Sequence, residues 1–269
     1  MSEELVFVHE PALRLGLFLA VIGAMMVWER FAPRRPLGYA RIRRWPNNLG
    51  ISLVDTLVLR LVLPTTAVGV AVVAEQRGWG LLPALHWPGW LAVAAAVVLL
   101  DLAIYGQHIL MHKISWLWWL HRVHHADLDF DTTTGIRFHP LEMVLSMLIK
   151  WAVIVALGAP ALAVLIFELL LNATSLFNHG NVWIPGALER RLRWLVVTPD
   201  MHRVHHSAVP RETDSNFGFN LSCWDRLFGT YKAQPAAGHR GMTIGLDYFR
   251  DPAELRLDRL LLQPFRQAR

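Results

Sequence analysis

The sequence predicts an all-α integral membrane protein, a bundle of about four to five membrane helices that carries a helical cap on the cytoplasmic side. Three observations predict it. Of 269 residues, 54% are hydrophobic and only 17% charged, whereas a soluble domain carries about 25% charged residues. The apolar residues gather in runs close to the roughly 20 that a helix needs to cross a bilayer. The arginines cluster beside those runs, and no stretch shows the two-residue alternation of a strand. No polar linker, low-complexity tract or repeat interrupts the chain, so residues 1–269 are expected to form one membrane domain.

The first apolar run covers about Ala12 to Val27, with Trp28 and Phe31 extending it into the interface. The N-terminal residues lack the positive region of a cleaved leader, so this run is expected to stay as a membrane helix. Arg30 to Arg44 follows, with six arginines, Pro33 and Pro36. The second run covers about Leu49 to Ala74 and the third about Trp90 to Met111. A hairpin comes next: about Leu141 to Leu157, the tight turn Gly158-Ala159-Pro160, then Ala161 to Phe177. Membrane helices thus occupy about 12–112 and 141–178, and the cap 113–140 and 179–269. Within the cap, Trp116, Trp118 and Trp119 suit an interfacial belt, and Ala187 to Leu195 is helix-like.

The excess of arginine between the first two runs places that loop in the cytoplasm and the acidic N-terminus outside. Alternation then puts the end of the third run, and everything after Asn178, on the cytoplasmic side. The net charge of +5 is accounted for by topology and headgroup contact. Nothing resembles a nucleic-acid-binding motif. Cys223 is the only cysteine, which excludes an intrachain disulfide and a cysteine-based metal site.

Nine of the 13 histidines form a pattern. His108 and His112 make H-x-x-x-H at the end of the third run. His121, His124 and His125 make H-x-x-H-H, and His202, His205 and His206 repeat it. His179 stands alone just past the hairpin. Residues three and four apart share a helix face, so His108 and His112 can reach one metal, and each H-x-x-H-H box is expected to form a compact three-ligand face. Nine imidazoles exceed what one tetrahedral site needs, so two metal ions are the economical reading. Imidazole accepts zinc, copper, iron or nickel, and ligand chemistry alone does not choose among them. By orientation, all nine land on one side of the membrane.

The segments Gly-Gln-His-Ile-Leu-Met-His (106–112), His-Arg-Val-His-His (121–125), Arg-Phe-His-Pro-Leu-Glu (137–142), Met-His-Arg-Val-His-His (201–206) and Trp-Asp-Arg-Leu-Phe-Gly-Thr-Tyr (224–231) resemble those of the fatty acid hydroxylase/sterol desaturase superfamily. The resemblance runs from about Leu91 to Tyr231. It implies a small helical membrane bundle with a cytoplasmic cap around a dimetal centre, two iron ions as the working metals (zinc fits the same ligands), and O2 as cosubstrate. Some members carry a paired H-x-x-x-H at the third position; here Ser175 holds the first place and only His179 remains. Either a water held by Asn181 or Asn172 completes the shell, or His139 contributes. With Pro140 following and Glu142 three residues on, His139 also reads as a helix start.

Asp101 lies about two turns before His108 and can accept from a ligand's other N–H, directly or through Tyr105. Arg60 and Glu168, inside apolar segments, are expected to pair, and Lys150 to snorkel to an interface. His9, His86 and His239 have no spacing partner. Asn216-Phe217-Gly218 and Trp224 to Tyr231 read as aromatic packing in the cap, or else as a lid or donor-docking surface. The implied reaction is hydroxylation of a lipid acyl or alkyl chain, with sterol desaturation or oxidation as the alternative. No dinucleotide, haem or iron–sulfur motif is present. A separate electron donor follows: a ferredoxin, a flavoprotein reductase or a cytochrome b5-like protein. A histidine-rich membrane metal transporter and a zinc-stabilised scaffold are the readings of another class.

Overall fold

The computed structural model describes residues 9–267 and contains helices and loops, with no strand among those residues. The acidic residues at the very N-terminus lie outside the described residues. Five segments are long and apolar enough to cross a membrane, and the chain is an integral membrane protein. Helix α1 covers Glu10–Phe31, with Pro11 in its first turn. Helix α2 covers Arg41–Val62 and α3 Ala67–Gln76. Helix α4 covers Gly89–Lys113, and α5, Ser115–His125, follows it. The hairpin is α6 (Pro140–Leu157) and α7 (Ala161–Asn178). Three short cap helices complete the site: α8 (Gly186–Leu192), α9 (Pro199–His205) and α10 (Cys223–Leu227). Helix α11, Leu257–Leu262, lies against α2 near the C-terminus.

The second apolar run, expected as one helix from Leu49 to Ala74, is two helices. Pro64 disfavours helical backbone at the preceding residue, and Leu63 is extended at φ −103°, ψ 129°. The chain restarts at Thr66, whose side chain accepts from the Gly69 amide. The first turns of α2 belong to the cap rather than the membrane, because Ile51 packs with Val123 of α5 and Leu260 of α11.

The hairpin turn is as expected. Gly158 takes the left-handed conformation at φ 62°, and a Cβ there would lie 2.1 Å from the Trp79 carbonyl. This close approach ties the end of the α3 segment to the α6–α7 turn and defines the far end of the bundle. At the near end lie the C-termini of α1, α4 and α7 and the N-termini of α2 and α6. Half of the most apolar window of α7 is buried against 11% for α1, so α7 is the axis and α1 the periphery. Lipid gives no hydrophobic drive for helices to associate, so packing relies on close approach at small residues. Ala67, Ala71, Ala96, Ala161 and Ala163 are all buried at such contacts.

Charges inside the bundle are partnered, though not as expected. Glu168 binds Arg14 of α1 at 2.6 Å and Lys150 of α6 at 2.7 Å. Arg60 is exposed, and Lys150 does not snorkel. At the near end Arg44 joins α2 to the cap through Asp127 (2.7 Å) and Asp131 (2.6 Å), with all three side chains buried. Asn48 adds bonds to Asp127 and Thr133. Burial favours the neutral form of Asp127, but the Arg44 guanidinium outweighs it and holds the carboxyl well below the usual carboxylate range. Removing Arg44 leaves Asp131 without its cation and Asp127 with only the more distant Arg137 at 4.0 Å, a loss of about 3–5 kcal/mol.

Candidate metal centre

The near end of the bundle gathers all nine patterned histidines. The last turns of α4 supply His108 and His112, and the last turns of α5 supply His121, His124 and His125. His179 caps α7, while His202 and His205 lie on α9 with His206 at its end. They form two groups. His108, His112, His121, His125 and His205 make one, and His124, His179, His202 and His206 the other; within each, ring nitrogens lie within 4.8 Å of one another.

Neither H-x-x-H-H box forms the single three-ligand face expected of it. At 100° per residue, the i+3 and i+4 side chains straddle the direction of residue i and diverge from each other. His121 and His125 therefore face the first group and His124 the second. Likewise His202 and His206 face the second group and His205 the first. Each box serves both groups, whose rings touch: His125 stacks on His206 with centroids 4.5 Å apart.

Backbone acceptors set the protonation of the rings. Nδ1 of His108 is 2.8 Å from the Phe217 carbonyl, and Nδ1 of His205 is 2.8 Å from the Ser215 carbonyl. In the second group, Nδ1 of His179 is 2.7 Å from the Ser175 carbonyl and Nδ1 of His124 is 3.2 Å from that of Arg137. A carbonyl only accepts, so these Nδ1 atoms carry the proton and leave a bare lone pair on Nε2. His121 Nδ1 lies 2.6 Å from the Glu142 carboxylate, with the same consequence.

Those Nε2 atoms point at one another. His108 Nε2 is 3.1 Å from that of His121 and 3.0 Å from that of His205. His179 Nε2 is 3.1 Å from that of His124 and 3.0 Å from that of His202. Where both rings carry their proton on Nδ1, as His108, His121 and His205 do in the first group and His124 and His179 in the second, the opposed lone pairs repel, and a cation placed among them turns that repulsion into ligation. His206 has both ring nitrogens buried without a partner, and Nδ1 of His125 and of His202 is in the same state. Burial, reinforced by the neighbouring rings, holds His124, His125, His202 and His206 well below the ordinary imidazole value, and His179 and His205 at about 3. Neutral, buried, convergent imidazoles fit a metal pair.

Aromatic rings close the centre to water. Phe138 stacks on His124 at 4.4 Å, Phe130 covers His179 and His206, and Phe217 sits edge-on to His108, His112 and His205. Gly135 allows the 3-10 turn at Thr132–Ile136 to lie against α7, since a Cβ there would be 2.6 Å from the Ser175 carbonyl and 3.0 Å from His179 Nδ1.

The three supporting candidates hold other positions. Asp101 touches no histidine; it accepts from the Leu221 amide (3.1 Å) and the Trp224 indole (2.8 Å), fixing the cap to α4. Tyr105 bonds Thr230. His139 starts α6: its Nδ1 accepts from the Leu141 amide and its Nε2 faces the Leu261 carbonyl. Asn181 bonds the Arg35 backbone, and Asn172 is exposed. Ser175 Oγ donates to the Gly135 carbonyl. Among the bystanders, His239 is buried 3.5 Å from Asp200, away from both groups. Sequence reasoning saw Glu142 only as part of a helix start and missed its bond to His121.

The fatty acid hydroxylase family model matches residues 93–230, just over half of the chain. The chain belongs to the fatty acid hydroxylase family. The matched span holds all nine histidines. Among relatives, alkylglycerol monooxygenase of Xenopus tropicalis is 29% identical over 180 residues, 65% of this chain and 37% of its own. Ornithine lipid hydroxylase OlsE of Rhizobium tropici is 26% identical over 231 residues, 81% of this chain and 66% of its own. A cholesterol 25-hydroxylase-like protein of Danio rerio is 29% identical over 169 residues, 55% of this chain and 64% of its own. The chain therefore spans between about a third and two thirds of the length of these family members. No solved structure matches it.

Proposed function

We propose that this chain is a membrane-bound, non-haem diiron oxygenase that hydroxylates the acyl or alkyl portion of a lipid with O2. The observation that carries the proposal is the convergence of Nε2 lone pairs in two adjoining groups. His108, His112, His121, His125 and His205 would hold one iron, and His124, His179, His202 and His206 the other. When bound, the iron pair supplies O2 activation and attack on an unactivated C–H bond. The protein supplies ligands, orientation and a dry cavity. Backbone carbonyls fix the tautomer of His108, His124, His179 and His205, and Glu142 fixes that of His121 and raises its basicity. Phe130, Phe138 and Phe217 exclude water from the rings.

The relatives named for ether lipids and ornithine lipids support a lipid substrate. The position of the centre at the ends of α4 and α7 supports lateral access from the bilayer. The sterol-named relative favours sterol oxidation as the second reading. Hydroxylation consumes O2, two electrons and two protons, and returns one water with the alcohol. These 269 residues hold no dinucleotide, haem or iron–sulfur motif, so a separate donor would deliver the electrons, and the exposed Arg30 and Arg43 of the Arg30–Arg44 segment would help steer an acidic one. By the positive-inside rule that loop, and the centre beside it, face the cytoplasm.

The decisive experiment supplies purified, iron-loaded protein in lipid vesicles with O2, a reductase–ferredoxin pair and candidate lipids or sterols, followed by mass spectrometry. Gain of one oxygen atom on a lipid chain is the expected result. Loss of two hydrogens would make it a desaturase, and gain of oxygen on a sterol alone would move it to the second reading. Turnover of a small water-soluble compound, with lipids and sterols inert, overturns the proposal. Reporter fusions in the Arg30–Arg44 loop test the orientation.

A further inference from the structure

The cap is expected to sit above the membrane, yet part of it reaches down beside α4. Asp101 binds the backbone of Asn220 and Leu221 and the Trp224 indole. Phe228 stacks on Tyr105 with centroids 5.4 Å apart. Asp101 lies twelve residues before Lys113, the end of α4, which is about 18 Å along the axis. A helix of 25 residues is about 37 Å long, some 7 Å more than a hydrocarbon layer of about 30 Å. Even if all the excess projects from the near end, Asp101 lies about 10 Å inside the hydrocarbon. The loop bound to it lies at that depth too.

Irregular backbone is tolerated at such depth only where its polar groups are satisfied by protein. Here most are. The Phe217 and Gly218 amides donate to the Asp225 carboxylate (2.8 and 3.0 Å) and those of Asn220 and Leu221 to Asp101 (3.3 and 3.1 Å). The Phe219 carbonyl accepts from Asn178 and the Ser222 amide donates to the Leu195 carbonyl. Asp101 and Asp225 thereby do for a loop what a helix does for itself. The outward side is apolar: Trp194, Leu195, Leu227 and Phe228 are each more than half exposed. Arg226 is held between the Trp194 and Tyr231 rings at 4.5 and 4.2 Å, an arrangement suited to the headgroup boundary.

We propose that residues 217–228 are a re-entrant element set into the near leaflet, and that the lip formed by Trp194, Leu195, Leu227 and Phe228 lies against lipid acyl chains. The element fills the face between α4 and α7 directly below the histidines, so a lipid approaching the centre from that side passes over this lip. The inference needs only the bilayer, not the reaction.

Cys223 is the sole cysteine and is exposed at the start of α10, so the unaltered full chain can be spin-labelled there. The measurement is collision of the label with O2, which enters the bilayer, and with a water-soluble nickel chelate, in phosphatidylcholine–phosphatidylglycerol vesicles. A label at Arg240→Cys in a Cys223→Ser background, or free label in buffer, gives the aqueous value. The expected O2-to-nickel ratio at position 223 is several-fold above that value. A ratio equal to it means the lip is in water, free to dock a soluble protein, and overturns the proposal.

Discussion

The two imidazole groups share α5 and α9 but are not built to the same plan. The first holds five rings and is anchored in the membrane by His108 and His112 on α4. The second holds four, and its contribution from the membrane helices is one residue, His179, at the C-terminal cap of α7. Where a second histidine would stand one turn earlier, Ser175 instead bonds the Gly135 backbone. The difference teaches that the first group is held by side chains on a continuous helix, whereas the second depends on how the Thr132–Ile136 turn is seated against α7.

The largest effects should come from removing one ring of each group. His124→Ala and His205→Ala are each expected to abolish turnover while the protein stays in the membrane, because lipid and helix packing hold the fold. Metal analysis should show lower metal content in both variants, and substantial activity in either would mean its group is not the working ligand set. Next, Glu142→Ala removes the acceptor on His121 and should weaken metal affinity or activity about 10–100-fold, with Glu142→Gln milder. Unchanged affinity would show that the carboxylate does not orient the ring.

Smaller and more selective is Gly135→Ala. The new methyl must displace backbone at Ser175, a cost of about 1–3 kcal/mol, and the loss of metal should be confined to the four-ring group. Equal loss from both groups would contradict their separate dependence. Smallest is His139→Ala, which deletes a helix cap worth about 0.5–2 kcal/mol and should leave metal content intact. Loss equal to that of His124→Ala would place His139 among the ligands.

Much of this centre was legible in the sequence because a helix converts spacing into direction. The H-x-x-x-H and H-x-x-H-H spacings give the rings, and long apolar runs give the bundle. What escaped has physical reasons. Four of the groups that orient the rings are backbone carbonyls, of Phe217, Ser215, Arg137 and Ser175, and every residue has one. One of the two partners of Glu168 proved to be Arg14, 154 positions away, and Asp101 serves a loop some 120 positions later; neither pairing leaves a local trace. Pro64 was visible, but the apolar run around it read as one helix because composition is blind to a four-residue break.

The sharing of α5 and α9 between the groups has a mechanical consequence. A helix that offers rings on two sides works as a common axle: fixing its roll for one socket fixes it for the other. The first ion to bind would lock the roll of both helices and leave the second socket already set, so metal uptake should be all-or-none along a titration rather than two independent steps.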